Sequence, residues 1–286
     1  MLPPELETTL VAAVGPLTRV EPLGGSFGAA LLRVTTRQGR FALKWAAAGR
    51  PALMVAAEAH GLRCLAATQA LRVPALVAAA EASAEPAFIL VEWLDGAGTR
   101  PDLARLGEQL AALHRHAAPA FGLEVDNFIG GTPQSNQWLE AWPAFFRERR
   151  LRPQVALAAE SGRMPALRRH GFERLFARLD ALLATDEPPA LIHGDLWAGN
   201  VVAAPGATPA LIDPAVSYSQ REAEVAYTEL FGGFGPAFYA AYQAAWPLEP
   251  GYAERRDLYN LYHLLNHLNL FGESYGMQVD QILRRY

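Results

Sequence analysis

The chain has 286 residues, of which 51% are hydrophobic and 19% charged, with a formal net charge of -4. These proportions describe a folded globular protein and exclude a disordered or collagen-like one. The mildly acidic balance, with arginines scattered, offers no basic stripe for a duplex, so no nucleic-acid partner is expected. Of the 25 basic residues one is a lysine, Lys44, and one cysteine, Cys64, allows no intrachain disulfide. The start, MLPPELETTL, lacks a basic stretch followed by an apolar core, and no apolar run approaches the roughly 18 residues that span a bilayer. A cytoplasmic protein with no membrane partner is therefore expected.

In chain order, residues 29–36 and 40–46 are short runs rich in β-branched, aromatic and leucine residues around Arg37, Gln38 and Gly39, which predicts a hairpin. The Ala/Leu-rich residues 53–71 predict a helix of about five turns, with Cys64 as a small buried packing residue. Residues 87–94, AFILVEWL, predict a buried strand that stops at the turn signal Asp95-Gly96. Helices dominate beyond it. Leu103, Leu106, Leu110 and Leu113 recur at helical spacing, as do Leu258, Leu261, Leu265 and Leu268. Trp138, Trp142, Phe145 and Phe146 are expected to pack together, and Arg147, Glu148, Arg149 and Arg150 to form a solvated helix surface. Short apolar runs at 200–203 and 210–212 each adjoin an acidic loop residue. The expected fold class is α+β and bilobal: a small β-rich lobe with one long helix over residues 1–91, a connector at 92–96, and a larger, mostly helical lobe over 97–286.

The chemistry concentrates in LIHGDLWAGN, residues 191–200, followed by ALIDPA, residues 210–215. Asp195 is followed by the amide Asn200 and then by Asp213 at the end of an apolar run. Asn200 and Asp213 are hard oxygen donors of the kind Mg2+ takes while it keeps part of its shell for nucleotide phosphates. Asp195 is a separate carboxylate that can accept the proton of an attacking hydroxyl. The spacing D-x-x-x-x-N, then D, is that of protein-kinase catalytic and metal loops, with HGD in place of HRD. The lone lysine then acquires a task. Lys44 closes the run 40–44 downstream of the turn Gly24-Gly25-Ser26-Phe27-Gly28, in the position of a lysine that pairs with ATP phosphates. Glu58 falls in the following helix, where it can hold the ammonium. A compact ammonium and a planar guanidinium are not interchangeable there. Gly24, Gly25 and Gly28 could let backbone approach the nucleotide, and Glu92, Trp93 and Leu94 are placed by position as the connector that meets the adenine base. His193 is expected to hydrogen-bond within the catalytic loop rather than act as the base. His263 and His267, four apart on a helix, are expected as core or pocket residues rather than zinc ligands.

These residues resemble the fructosamine (ketosamine) kinase family. HGDLWAGN, with tryptophan after Asp-Leu, is similar to that family's catalytic loop, and further similarity lies in EAHGLRCLAAT from Glu58, LGEQLAALHR from Leu106, FGLEVDNFIGGTPQSNQW from Phe121, FFRERRLRPQ from Phe145 and YHLLNHLNLFGESY from Tyr262. The resemblance implies a protein-kinase-like fold, shared with aminoglycoside phosphotransferases. It also implies ATP-dependent phosphorylation of a sugar hydroxyl on a ketoamine, free or on a protein lysine, which makes the adduct prone to fall off. It assigns Asp195 as base, Asn200 and Asp213 as Mg2+ ligands, Lys44 and Glu58 as the phosphate-binding pair, and Trp197 and His267 as substrate-pocket residues. Some relatives carry an oxidisable cysteine in the Gly-rich loop, which this chain lacks. The alternatives at this level are another hydroxyl kinase of the same fold, acting on an aminoglycoside, choline or homoserine, or a catalytically silent nucleotide-binding scaffold. Oligomeric state is left open.

Overall fold

The chain begins with a helix laid on a sheet. In the computed structural model, which describes residues 2–80, 84–96 and 98–286, α1 (Pro4–Val14) starts on a proline whose missing N–H has no helical partner to lose. Leu6, Leu10 and Val14 recur at four-residue spacing and pack against Val34, Leu43, Phe88 and Leu90. This helix adds to the single long one expected for the lobe. Next come β1 (Leu17–Ser26), β2 (Ala29–Thr36), β3 (Gly39–Ala46), α2 (Gly49–Thr68), β4 (Leu76–Ala79) and β5 (Ala87–Glu92). The five strands form one antiparallel sheet in the order β1-β2-β3-β5-β4.

The predicted hairpin at 29–46 is β2–β3. Helix α2 starts four residues before the expected position, because Pro51 lies in its first turn, where no N–H is needed. It ends at Thr68, where Gln69 turns left-handed at φ 56°. The glycine segment also differs from expectation. Gly24 and Gly25 are strand residues opposite Leu31 and Ala30, and the reversal falls on Phe27 (φ 49°) and Gly28 (φ 87°), a two-residue loop positive in φ at both positions. Strand β5 stops at Glu92, two residues early. Gly96 has no left-handed φ, and a Cβ there would stand 1.9 Å from the Ala203 carbonyl oxygen. The close backbone approach accounts for the glycine, and the expected turn does begin there, with the Thr99 N–H donating to the Gly96 carbonyl at 2.9 Å.

The middle of the chain holds α3 (Leu103–His114), β6 (Asn127–Ile129), β7 (Thr132–Gln134), α4 (Trp142–Phe145), a π-helical turn (Phe146–Leu151), α5 (Arg152–Glu160), α6 (Ala166–Leu182) and β8 (Ala190–Ile192). A hairpin of β9 (Val201–Ala204) and β10 (Thr208–Leu211) follows, then β11 (Ser217–Ser219), α7 (Arg221–Leu230), α8 (Gly235–Ala245), α9 (Tyr252–Phe271) and α10 (Gly276–Leu283). The two predicted leucine stripes are the buried faces of α3 and α9. Gly107 lets α3 approach α8 closely, since a Cβ there would meet the Phe238 carbonyl oxygen at 2.3 Å. Trp142, Phe145 and Phe146 cluster with Phe121 and Tyr259, whereas Trp138 lies against Tyr218. Arg150 is buried, not solvated: it donates to the Ser135 carbonyl, Asn136 Oδ1 and Ser217 Oγ, with its guanidinium over the Phe145 ring. Cys64 is half-buried, its Sγ 3.3 Å from His60 Nε2.

Two compact units divide the chain. The first is Met1–Asp102 with Asn200–Ala215, and the second is Leu103–Gly199 with Val216–Tyr286. Asn200–Ala215, assigned to the second lobe on sequence, therefore clusters with the first unit. Among the described residues no helix is long and apolar enough to cross a membrane.

Candidate active site

In the first unit the sheet, α2 and the β9–β10 hairpin converge on Lys44. The residue sits on β3, opposite Leu31 of β2 and Ile89 of β5. Its Nζ donates to Glu58 Oε2 at 2.6 Å and to Asp213 Oδ1 at 2.8 Å. Burial works against the ammonium, but the two carboxylates outweigh it and hold the lysine above its ordinary value. Burial pushes the Glu58 carboxyl up to about 7, against the attraction of Lys44. Asp213 follows β10 in a left-handed conformation, φ 55°, which aspartate tolerates. Gly61 of α2 makes room for this segment, since a Cβ there would come within 3.0 Å of Pro214 Cγ.

Asn200 and Asp213 flank the open end of the β9–β10 hairpin. Val201 pairs with Leu211, and the Ile212 N–H donates to the Asn200 carbonyl at 3.1 Å. The backbone pairing thus sets an amide and a carboxylate residue at one end of the hairpin, and their oxygens are donors of the kind that fits Mg2+ rather than a thiolate- or imidazole-loving metal. Lys44, Glu58 and Asp213 also line a cavity of about 310 Å3, otherwise largely apolar, with Leu31, Ala42, Ile89, Val91 and Ile212 among its walls. That size lies at the lower end of small-molecule pockets, typically about 300–1,000 Å3. Glu92, Trp93 and Leu94 line it as well. The Glu92 carboxylate is engaged by Arg72 and by the Ala75 N–H, and the N–H groups of Glu92 and Trp93 go to the carbonyls of Ala75 and Arg40. Leu23 of β1 reaches the cavity, but among the described residues Gly24, Gly25 and Gly28 do not.

In the second unit Asp195 lies on the loop after β8, and α7 grips that loop. Glu224, 2% exposed, accepts from the Gly194 N–H at 2.6 Å, the His193 N–H at 2.9 Å and His114 Nε2 at 3.0 Å. Burial would raise its carboxyl, but His114 and the Gly194 N–H outweigh that and lower it, so the acceptor stays charged. Gly194 takes φ 85°, which directs its N–H at Glu224 without strain. The Asp195 N–H donates to His193 Nδ1 at 3.3 Å, the loop-bracing role expected for that histidine. His114 Nδ1 meets the Tyr242 hydroxyl at 2.8 Å, tying the brace to α8.

Two further features of the second unit bear on an acceptor. The Trp197 indole, 43% exposed, lies flat over Gly199, where a Cβ would stand 2.2 Å from its Cη2. His267 of α9 is walled by Phe231, Phe271 and Tyr275, with ring centroids 4.9, 5.4 and 5.0 Å away. Its Nδ1 is 2.8 Å from the His263 carbonyl. A carbonyl only accepts, so Nδ1 carries the proton and Nε2 presents a lone pair. Burial lowers the affinity of this ring for a second proton. His263 and His267 are thus both packed against aromatic rings.

Glu224 and Gly199 are the residues that sequence reasoning passed over. Glu224 and Tyr227 stand three apart on α7, a same-face spacing visible in the sequence, but nothing in the pattern showed that this face is buried.

A family model described as fructosamine kinase matches residues 9–286. A Synechocystis protein named probable ketoamine kinase is 44% identical over 236 residues, which cover 81% of this chain and 78% of that one. The chloroplastic protein-ribulosamine 3-kinase of Arabidopsis thaliana is 36% identical over 280 residues, covering 94% and 83%. A Thermobifida fusca protein crystallised under a fructosamine-3-kinase designation superposes with a TM-score of 0.87 at 31% identity, covering 98% of this chain and 97% of that one.

Proposed function

The chain belongs to the fructosamine kinase family, and from that premise we propose that it is an ATP-dependent ketosamine kinase acting on fructosamine or ribulosamine adducts of amines, free or on protein lysines. The observation that carries the reading is the Lys44 ammonium, held between Glu58 and Asp213 in the wall of an apolar cavity. A fixed point charge beside a largely apolar cavity suits a nucleotide: base and ribose in the cavity, phosphates at the ammonium. The donors Asn200 and Asp213 would hold Mg2+, which supplies neutralisation of phosphate charge when bound.

Asp195, on its braced loop, orients the attacking sugar hydroxyl and accepts its proton as the γ-phosphoryl group arrives. General-base assistance of this kind is typically worth about 10²–10⁴ in rate, and charge stabilisation at the phosphates is usually the larger contribution. Trp197 offers an apolar face to the sugar carbons, and His267 Nε2 offers an acceptor to a hydroxyl or to the ammonium of the adduct. After the designations of its relatives, the hydroxyl is the one on carbon 3. Phosphate leaves far more readily than hydroxide, so the phosphorylated adduct loses a proton from carbon 1 and inorganic phosphate from carbon 3, and water then hydrolyses the resulting imine and frees the amine. We place the reaction in the cytoplasm, whereas the Arabidopsis relative is designated chloroplastic.

The test is an ATP-consumption screen over fructose-, ribulose- and erythrulose-derived lysine adducts, with aminoglycosides and choline as controls. Turnover of the adducts supports the reading, and turnover of the controls alone rejects it. Asp195→Asn should keep the fold and nucleotide affinity while abolishing turnover. A near-normal rate in that variant would remove Asp195 from the role of base.

A further inference from the structure

Helix α7 brings a second group to the catalytic loop, and this one touches the proposed base itself. The Tyr227 hydroxyl donates to Asp195 Oδ1 at 3.2 Å. Its ring lies parallel to that of His263, 3.5 Å away and tilted by 9°, and meets Phe231 edge-on at 6.0 Å. At 3% exposure the phenol is confined by these neighbours. We propose that Tyr227 is a positioning residue for phosphoryl transfer, fixing the plane of the Asp195 carboxylate through the bond to Oδ1. This rests on Asp195 being the base.

The terminal torsion of an aspartate is broad and soft, so a carboxylate on a loop needs an outside partner to present one oxygen in one direction. Tyr227 supplies that partner from a rigid element. Three residues earlier on the same helix, Glu224 holds the N–H groups of His193 and Gly194. One helix face therefore registers both the loop backbone and the reacting side chain. Burial, with the Asp195 carboxylate beside it, raises the phenol well above its ordinary value, so it remains a donor at any working pH. Burial likewise pushes the His263 imidazole well below its usual value, so a neutral ring backs the phenol. Packing alone does not explain the hydroxyl. A phenylalanine would fill the same space, and burying a hydroxyl is costly unless it is bonded.

The test is Tyr227→Phe, which keeps the ring stack and removes only the donor, measured beside Asp195→Asn on an accepted ketosamine. A hydrogen bond to a charged group is worth enough that its loss should lower kcat by about tenfold to a hundredfold. KM for ATP and for the ketosamine should stay within about twofold, and Tm within about 2 °C. Turnover within about twofold of wild type, with Asp195→Asn inactive, overturns the proposal and leaves the base intact. A fall in kcat that comes with a raised KM for ATP or a clear loss of Tm also overturns it, because a merely structural role moves those quantities. Substantial turnover by Asp195→Asn instead defeats the reading of the base, and the proposal with it.

Discussion

Replacing Glu224 by glutamine keeps size and shape but changes one oxygen into a donor. The carboxylate accepts three hydrogen bonds: Oε1 from the Gly194 N–H, and Oε2 from the His193 N–H and His114 Nε2. The amide oxygen of the introduced glutamine would keep Gly194, while its NH2 group would face two donors. His114 can escape by switching tautomer, because its other nitrogen faces the Tyr242 hydroxyl, which can accept as well as donate. The His193 N–H has no such escape. One buried donor left unsatisfied costs about 1–3 kcal/mol, with a further contribution from loss of the charge-assisted bonds, so a destabilisation of about 2–4 kcal/mol is expected. Since burial works against this carboxyl but its hydrogen bonds lower it overall, its stabilisation is present above its unfolded value of 4.5 and fades as pH falls through the folded value. The gap between wild type and variant should therefore narrow in acid. Denaturant unfolding at neutral and acidic pH measures this, and amide hydrogen exchange at His193 and Gly194 reports the loop directly. A variant that unfolds at the wild-type midpoint, with both amides still protected, would refute the bracing argument.

Lys44→Arg keeps the charge but puts a wide planar fork where one nitrogen stands 2.6 and 2.8 Å from two carboxylates; kcat/KM should fall at least about a hundredfold, and steady-state kinetics on an accepted ketosamine would measure it. The His263 ring stays neutral in the folded protein, below the ordinary 6.5, so the unfolded chain takes up the proton first and stability falls as pH drops below that value. About 1.4 kcal/mol should be lost by roughly pH 5.5, and His263→Phe should flatten that part of the stability profile. Gly199→Ala would push a Cβ within 2.2–2.5 Å of the Trp197 ring and displace the indole; KM for the ketosamine should rise about three- to tenfold while KM for ATP holds.

What could be read from sequence divides along physical lines. The hairpin at 29–46 and the leucine faces of α3 and α9 were legible because burial imposes a period on the residues. The motif Asp195, Asn200, Asp213 was legible because its spacing is local, set by one short loop and one hairpin. Helix α1 buries only Leu6, Leu10 and Val14, too short a stripe to stand out although Glu5 and Glu7 lie in its first turn, and β1 is largely exposed, so its Gly24 and Gly25 looked like a turn. Arg150 in a run of charges looked solvated, because its acceptors on Ser135, Asn136 and Ser217 come from distant parts of the chain. Glu224 shows the same limit: a buried carboxylate and a surface one are written with the same letter, and only tertiary partners distinguish them.

The lone lysine illustrates how composition and site chemistry meet. A ketosamine arises when a neutral amine adds to a sugar carbonyl, so an amine held as an ammonium cannot enter that reaction. Against burial, the Glu58 and Asp213 carboxylates raise Lys44 above its ordinary value, and its side chain is only 18% exposed. Every other basic side chain of this kind is an arginine, whose guanidinium stays charged in proteins and is a poor nucleophile. The same two contacts that hold a compact ammonium for its proposed task at ATP phosphates therefore also withhold the chain's one side-chain amine from the chemistry that generates its proposed substrates. Arginine serves both at the surface and where a wide fork reaches several acceptors, as at the buried Arg150. Lysine remains where a single nitrogen must fit between two carboxylates, and there it is protected by the geometry that makes it useful.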